Sequence, residues 1–175
     1  MDNENKKTGI LGIGNLLLSD ESFGIHVTRY LEAQYRFPDS VTILDGGTAG
    51  IYMAPFIETH DPVFVVDVVN LKGAAPGSLY TFTADEARNG SMQSRMSPHQ
   101  LGILDILDIC KLRDISPETV EFFCVVPESL ATGLEMSASV AAQIGKIGDL
   151  LVQRLKGLGH TIDPQMIKRE KRCHA

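Results

Sequence analysis

Apolar positions along the chain recur with two periods that alternate from segment to segment. Residues 8–13 form a short apolar run bounded by glycine, the mark of a buried strand. Ser19 then offers an N-cap, with Asp20 and Glu21 as acids in the first turn. Phe23, Val27, Tyr30 and Leu31 follow at helical spacing. Pro38 separates that helix from a second strand at 41–44, which runs into Asp45-Gly46-Gly47-Thr48. A modest helix is expected over 49–59, and the β-branched run 62–69 is the strongest strand signal.

Beyond it, Gly73-Ala74-Ala75-Pro76-Gly77 is too short for a helical crossover. Residues 78–83 are therefore expected to run antiparallel, beside the third strand. Residues 85–96 read as a polar loop. Ser97-Pro98-His99-Gln100 has the features of a helix start: an N-cap Ser, Pro at the first helical position and Gln where a capping box wants it. That helix carries Ile103, Leu104, Leu107 and Cys110, and residues 120–126 form a fifth strand stopped by Pro127. Met136, Val140, Ile144, Ile147, Leu151 and Leu155 predict one long final helix. After Gly159 the chain turns basic and loses its period, so a domain over 1–160 is expected to end in a loose tail, 161–175.

Strands alternating with helices predict a three-layer α/β/α sandwich around a five-stranded, mostly parallel sheet with one antiparallel strand. In such sheets ligands bind beyond the carboxyl ends of the parallel strands. Candidate chemistry therefore belongs to the residues that follow them.

Composition narrows the partners. A chain of 175 residues is most simply one domain, and 43% hydrophobic residues supply a core without disulfides or structural zinc. Sixteen Lys+Arg against 22 Asp+Glu give a net charge of −6, there is no Trp, and aromatics are 6%. That balance argues against binding nucleic acid or an anionic membrane. Three cysteines, Cys110, Cys124 and Cys173, form no CxxC and fit a reducing compartment. The polar N-terminus shows no secretory signal, and the longest apolar run, 63–69, is far below the roughly 20 residues of a membrane helix. A soluble, cytoplasmic monomer is expected.

Acids and one histidine crowd the rim. The first strand ends in Gly12-Ile13-Gly14-Asn15 and leads to Asp20 and Glu21. The second delivers Asp45, the third Asp67, the fifth Glu128 and Ser129, and His99 opens a helix. Gly12-x-Gly14 resembles half a dinucleotide fingerprint, but its third glycine would fall at Leu17 and two carboxylates stand where a phosphate should sit. A tight turn is the simpler reading. Glu21, Asp67 and His99 make a three-ligand set suited to a borderline divalent ion such as nickel or zinc, with His99 kept neutral by the start of its helix. Against that, Glu21 and Asp20 would also offset a helix dipole and His99 would serve as a cap-region residue. Asp67 is harder to explain away, because an acid inside an apolar strand is costly unless paired or ligated.

Asp45-Gly46-Gly47-Thr48-Ala49-Gly50 is either a strand-ending turn or a bare backbone able to pair with an extended peptide, anchored by Asp45. Its likeness to the Asp-Thr-Gly of aspartyl proteases lacks a second copy. No GxSxG or HExxH occurs. Cys124 and Cys110 read as core and Cys173 as tail. His26 reads as a half-buried helix residue, while His60, His160 and His174 read as exposed.

GIGNLLLSDESFG, ILDGGTAG, VFVVDVV, the APG turn, SPHQLG and VVPES occur in this order across residues 8–159. In this the chain resembles the hydrogenase maturation endopeptidases, cytoplasmic proteases that trim the C-terminal extension from the precursor of the nickel–iron hydrogenase large subunit. The DGGTAG form looks most like the branch serving membrane-bound or periplasmic uptake hydrogenases. Ser22 stands where the family commonly has Gly or Ala. The resemblance implies an antiparallel strand at a sheet edge, metal contacts at Glu21, Asp67 and His99, and a role for Asp45 in activity. It also implies that nickel arrives with the substrate, so that the three residues dock on it; zinc or cadmium would occupy the same site in vitro. Two other classes stand beside this reading, a non-catalytic nickel-sensing chaperone and a nucleotide-binding α/β protein.

Overall fold

The computed structural model describes residues 6–88 and 98–165, with backbone alone for 98–101. Strand β1 (Lys7–Ile13) is buried along six of its seven residues and sits next to the centre of the sheet. On one side it pairs in parallel with β3 (Val41–Gly47), on the other with β4 (His60–Val68). Strand β6 (Val120–Val125) continues the parallel set beside β4. The antiparallel β5 (Leu79–Thr83) closes the order β3-β1-β4-β6-β5. The α/β class, the five strands and the single reversed strand are as the sequence pattern predicts.

Buried side chains alternate along β4, as the two-residue period of a strand requires. Val63 and Val65 enter one core with α2 (Ala54–Thr59), α3 (Ala84–Arg88) and α4 (Pro98–Leu112). Phe64, Val66 and Val68 enter the other with α1 (Phe23–Gln34), α5 (Ala138–Ala141) and α6 (Ile144–Gly157). The strand is covered on both faces, which is why it reads as a continuous apolar run. Each large side chain so buried stabilises the fold by about 1.5–3 kcal/mol.

Several local expectations need correction. Strand β5 lies beside β6, not beside β4. The connecting loop crosses the end of β6, where Gly77 N–H donates to the Val126 carbonyl (2.8 Å) and Val126 N–H to that of Ser78 (2.9 Å). A short loop fixes the direction of a strand but is long enough to step over one neighbour. Residues 84–88 are helical, capped where the Glu86 carboxylate accepts from Thr83 N–H (2.7 Å); most of the expected polar loop, 89–97, lies outside the described residues, including the Ser97 cap. The long final helix is two, α5 and α6, with Gln143 donating back to the Ser139 carbonyl at the break. Val140 and Ile144 keep the helical spacing across that break, so the apolar period does not reveal it.

His60 is buried, stacked on Phe56, and His160 bonds Thr8 Oγ1 (2.9 Å) and Ser40 Oγ (3.1 Å); neither is the exposed residue expected. The chain is also attached beyond residue 160. Ile162 is buried in the α1/α6 core, β7 (Asp163–Pro164) pairs with β2 (Tyr35–Arg36), and Gln165 N–H donates to the Gln34 carbonyl (2.7 Å). One apolar residue among polar neighbours carries no period, so sequence reading assigns it to the tail. A chain ending at Gly159 should lose about 2 kcal/mol of burial and melt about 4–8 °C below one ending at Gln165, as differential scanning calorimetry would show.

Candidate functional site

The glycines after β1 serve close packing. A Cβ on Gly14, whose φ is +155°, would lie 1.9 Å from the Glu21 carbonyl. One on Gly24 would lie 2.3 Å from the carbonyl oxygens of both Ile13 and Val66. The start of α1 therefore rests directly on the carboxyl ends of β1 and β4, with the 3-10 turn Ser19–Ser22 folded over β4. Backbone fills the space above Gly12 and Gly14, which gives no support to a phosphate cradle there.

Ser19 is not a helix cap. Its hydroxyl donates to the Ala131 carbonyl (2.9 Å), its N–H to that of Gly133 (2.9 Å), and α1 begins four residues later. The neighbouring acids differ in burial. Asp20 is fully buried and accepts from Glu128 N–H (2.8 Å), Ser129 N–H (2.9 Å), Ser137 N–H (2.7 Å) and Ser137 Oγ (3.0 Å). Burial pushes its pKa up, but these donors together outweigh burial and hold the carboxyl below its ordinary range. Asp20 thus ties the loop after β6 to the loop after β1. Sequence reading gave it only a dipole role, because nothing local signals donors 108 to 117 positions away.

Glu21, left half-buried, stands at the rim on the turn that Asp20 anchors. Asp67 is fully buried near the end of β4, its Oδ1 accepting from Val68 N–H (2.7 Å). By the strand's alternation it belongs with Val63 and Val65 on the face that α4 covers. His99 is the second residue of α4, and α4 packs against the 3-10 turn Gly50–Met53 that follows β3. Glu21 and Asp67 are therefore on adjoining elements at one end of the sheet. His99 enters that end by its backbone position, its side chain lying outside the description. Among the described residues no three His, Cys, Asp or Glu side chains form a ready-made metal cage. The chemistry of two carboxylates plus an imidazole fits an ion that brings ligands of its own.

Asp45 is set apart from that pair. It ends the regular pairing of β3, level with Gly12 on β1, whereas Asp67 is on the far side of β1. Two strand spacings, about 10 Å, lie between the strands that carry them. Its Oδ1 accepts from Gly47 N–H (3.2 Å) and its Oδ2 from Arg29 (3.5 Å) on α1, with 41% of the side chain exposed. Half-buried His26 faces the same ion pair; burial and then the Arg29 guanidinium hold its pKa down against the opposing pull of Asp45. No signal in the sequence linked Arg29 to Asp45. Glu128 is exposed and accepts from Ser139 Oγ (2.5 Å), which places it as a loop brace. Cys110 and Cys124 are buried core; burial, then the Glu58 charge, push the Cys110 thiol pKa up.

Comparison with known proteins places the whole domain, though not any single residue of this rim. The family profile described as hydrogenase maturation protease matches residues 25–154. The hydrogenase 2 maturation protease of Escherichia coli K12 is 36% identical over 135 residues, 77% of this chain and 82% of that protein. The hydrogenase expression/formation protein HoxM of Azotobacter vinelandii is 40% identical over 136 residues, 77% of this chain and 65% of that one. The solved structure of the E. coli hydrogenase maturating endopeptidase HybD superposes with a TM-score of 0.82 at 31% identity, covering 91% of this chain and 98% of the other.

Asp20→Asn replaces one of the accepting oxygens with an NH₂ group that faces N–H donors. It should cost about 2–4 kcal/mol at neutral pH. Because the folded-state pKa is depressed, the native Asp20 contributes stability above its unfolded pKa of about 3.9 and loses it as pH falls through the folded value. Urea unfolding of both chains should therefore show a gap at pH 7 that narrows below about pH 4.

Proposed function

The chain belongs to the hydrogenase maturation protease family and is a peptidase, and we propose that it removes the C-terminal extension of a nickel–iron hydrogenase large-subunit precursor once nickel is in place. A maturation protease of this family takes a hydrogenase large subunit as substrate. The observation that carries the finer reading is the buried Asp67 carboxylate at the end of the central strand, beside the turn that presents Glu21. Its Oδ1 accepts from Val68 N–H (2.7 Å), and a carboxylate has enough lone-pair sites to keep that donor and still ligate a divalent ion.

In this reading nickel is part of the substrate, already held by the precursor, and Glu21, Asp67 and His99 complete its coordination. The energy of completing it is available only to a loaded precursor. A nickel-free precursor would forgo it and meet two carboxylates with no cation between them, which adds discrimination. Peptide hydrolysis then needs a polarised carbonyl, a positioned water and a proton for the departing amine. Asp45, exposed and held in orientation by Arg29 and Gly47 N–H, acts on the peptide instead of on the metal in this reading, which its separation from Asp67 supports. Among the described residues no helix is long and apolar enough to cross a membrane.

Glu21→Gln, Asp67→Asn and His99→Ala should each lower processing by about 100-fold or more while far-UV circular dichroism shows the fold retained. Normal processing by two of the three would overturn the site. Purified precursor with and without nickel, mixed with chelator-treated enzyme, tests the role of the metal. The loaded form alone should yield a shorter subunit and a released peptide on mass spectrometry. Efficient cleavage of the nickel-free form would overturn that role.

A further inference from the structure

Strand β3 is the outermost strand of the sheet, and among the described residues no strand pairs with its outer side. Natural edges of this length are commonly blunted by lysine, proline or a short run. β3 has seven residues, no Lys and no Pro, and its one charge is Asp45, at the end nearest the site. The chain then continues as Gly46-Gly47-Thr48-Ala49-Gly50, whose small side chains leave the backbone approachable. Directly beyond stand two large apolar side chains turned to solvent, Ile51 at 56% and Tyr52 at 86% exposure. The opposite edge, β5, runs antiparallel and has no such acid at its end.

We infer that the precursor's scissile segment binds in extended form along the outer edge of β3, as a sixth strand passing Asp45 and resting on Ile51 and Tyr52. This rests on the function proposed above and adds where the peptide lies. A protease must hold its substrate backbone extended, and an open edge does so while satisfying the backbone groups it covers. The distances agree with that placement. From the end of β4 to a strand on the outer side of β3 is three strand spacings, roughly 14 Å, the reach of about four extended residues. A peptide whose metal site docks at Glu21 and Asp67 thus brings a bond a few residues downstream to Asp45. Asp45 would contact the peptide, and Arg29 would position Asp45.

The test places a photo-crosslinking benzoylphenylalanine at Tyr52, and at Tyr80 on β5 as the opposite-edge control, in the full chain mixed with nickel-loaded precursor. The Tyr52 probe should cross-link to residues flanking the cleaved bond and the Tyr80 probe should not. Hydrogen exchange of the wild-type chain, measured soon after mixing, should show protection at 43–47. Ile51→Ser with Tyr52→Ser should raise KM about tenfold with kcat and melting temperature nearly unchanged. If wild type shortens the precursor yet 43–47 stay unprotected and the Tyr52 probe does not cross-link, the edge placement is overturned while the function stands. If the loaded precursor is not shortened at all, the parent reading fails.

Discussion

A single buried carboxylate holds the rim of this sheet together. Asp20 accepts three backbone N–H groups and a hydroxyl from the loop after β6, while its own backbone belongs to the loop after β1. The same two loops are also joined by the N–H groups of Ser19 to Gly133, Gly133 to Leu17 and Asp20 to Ser129, and by the Ser19 hydroxyl to Ala131. A charge without exposure is tolerable only because every donor converges on it, and hydrogen bonds to a charged acceptor are among the stronger ones available. Removing it would leave those buried donors unpaired and weaken the tie between the two loops beside the turn that carries Glu21. The adjacent Glu21 stays half-buried on the turn that Asp20 anchors, so two neighbouring acids meet different surroundings.

The second constraint is backbone proximity. Helix α1 begins so close to β1 and β4 that Gly24 has no room for a Cβ, and Gly14 none against Glu21. This brings the 3-10 turn over the end of β4, where Asp67 is buried. The sheet then separates the acids in space. Asp67 lies on the face of α4, whose first turn contains His99, while Asp45 lies two strands away and bonds to α1 through Arg29. The acids proposed to dock the metal and to face the peptide are thus held on different strands of one sheet.

Much of this was legible in the sequence because the signals were local. The continuous apolar run of β4 and the alternation of helix and strand follow from burial on both faces, so class, strand number and strand direction could be read. The rim rule located Glu21, Asp45 and Asp67, since each acid follows or ends an apolar strand. The two acids at 20 and 21 were read alike, however, and the burial of Asp20 depends on donors over a hundred residues away.

What tertiary structure alone decided has the same physical origin throughout. Strand β5 sits beside β6 because a loop may step over a neighbour without leaving any trace in composition. Ile162 is core because β7 reaches β2, and His60 is buried because Phe56 stacks on it. The sequence by itself determined which apolar runs must be hidden and which acids follow them, because periodicity and residue type are properties of neighbours along the chain. Which acid turns inward, which strand is left open and what covers each histidine depend on contacts between distant segments, and only the folded chain brings those segments together.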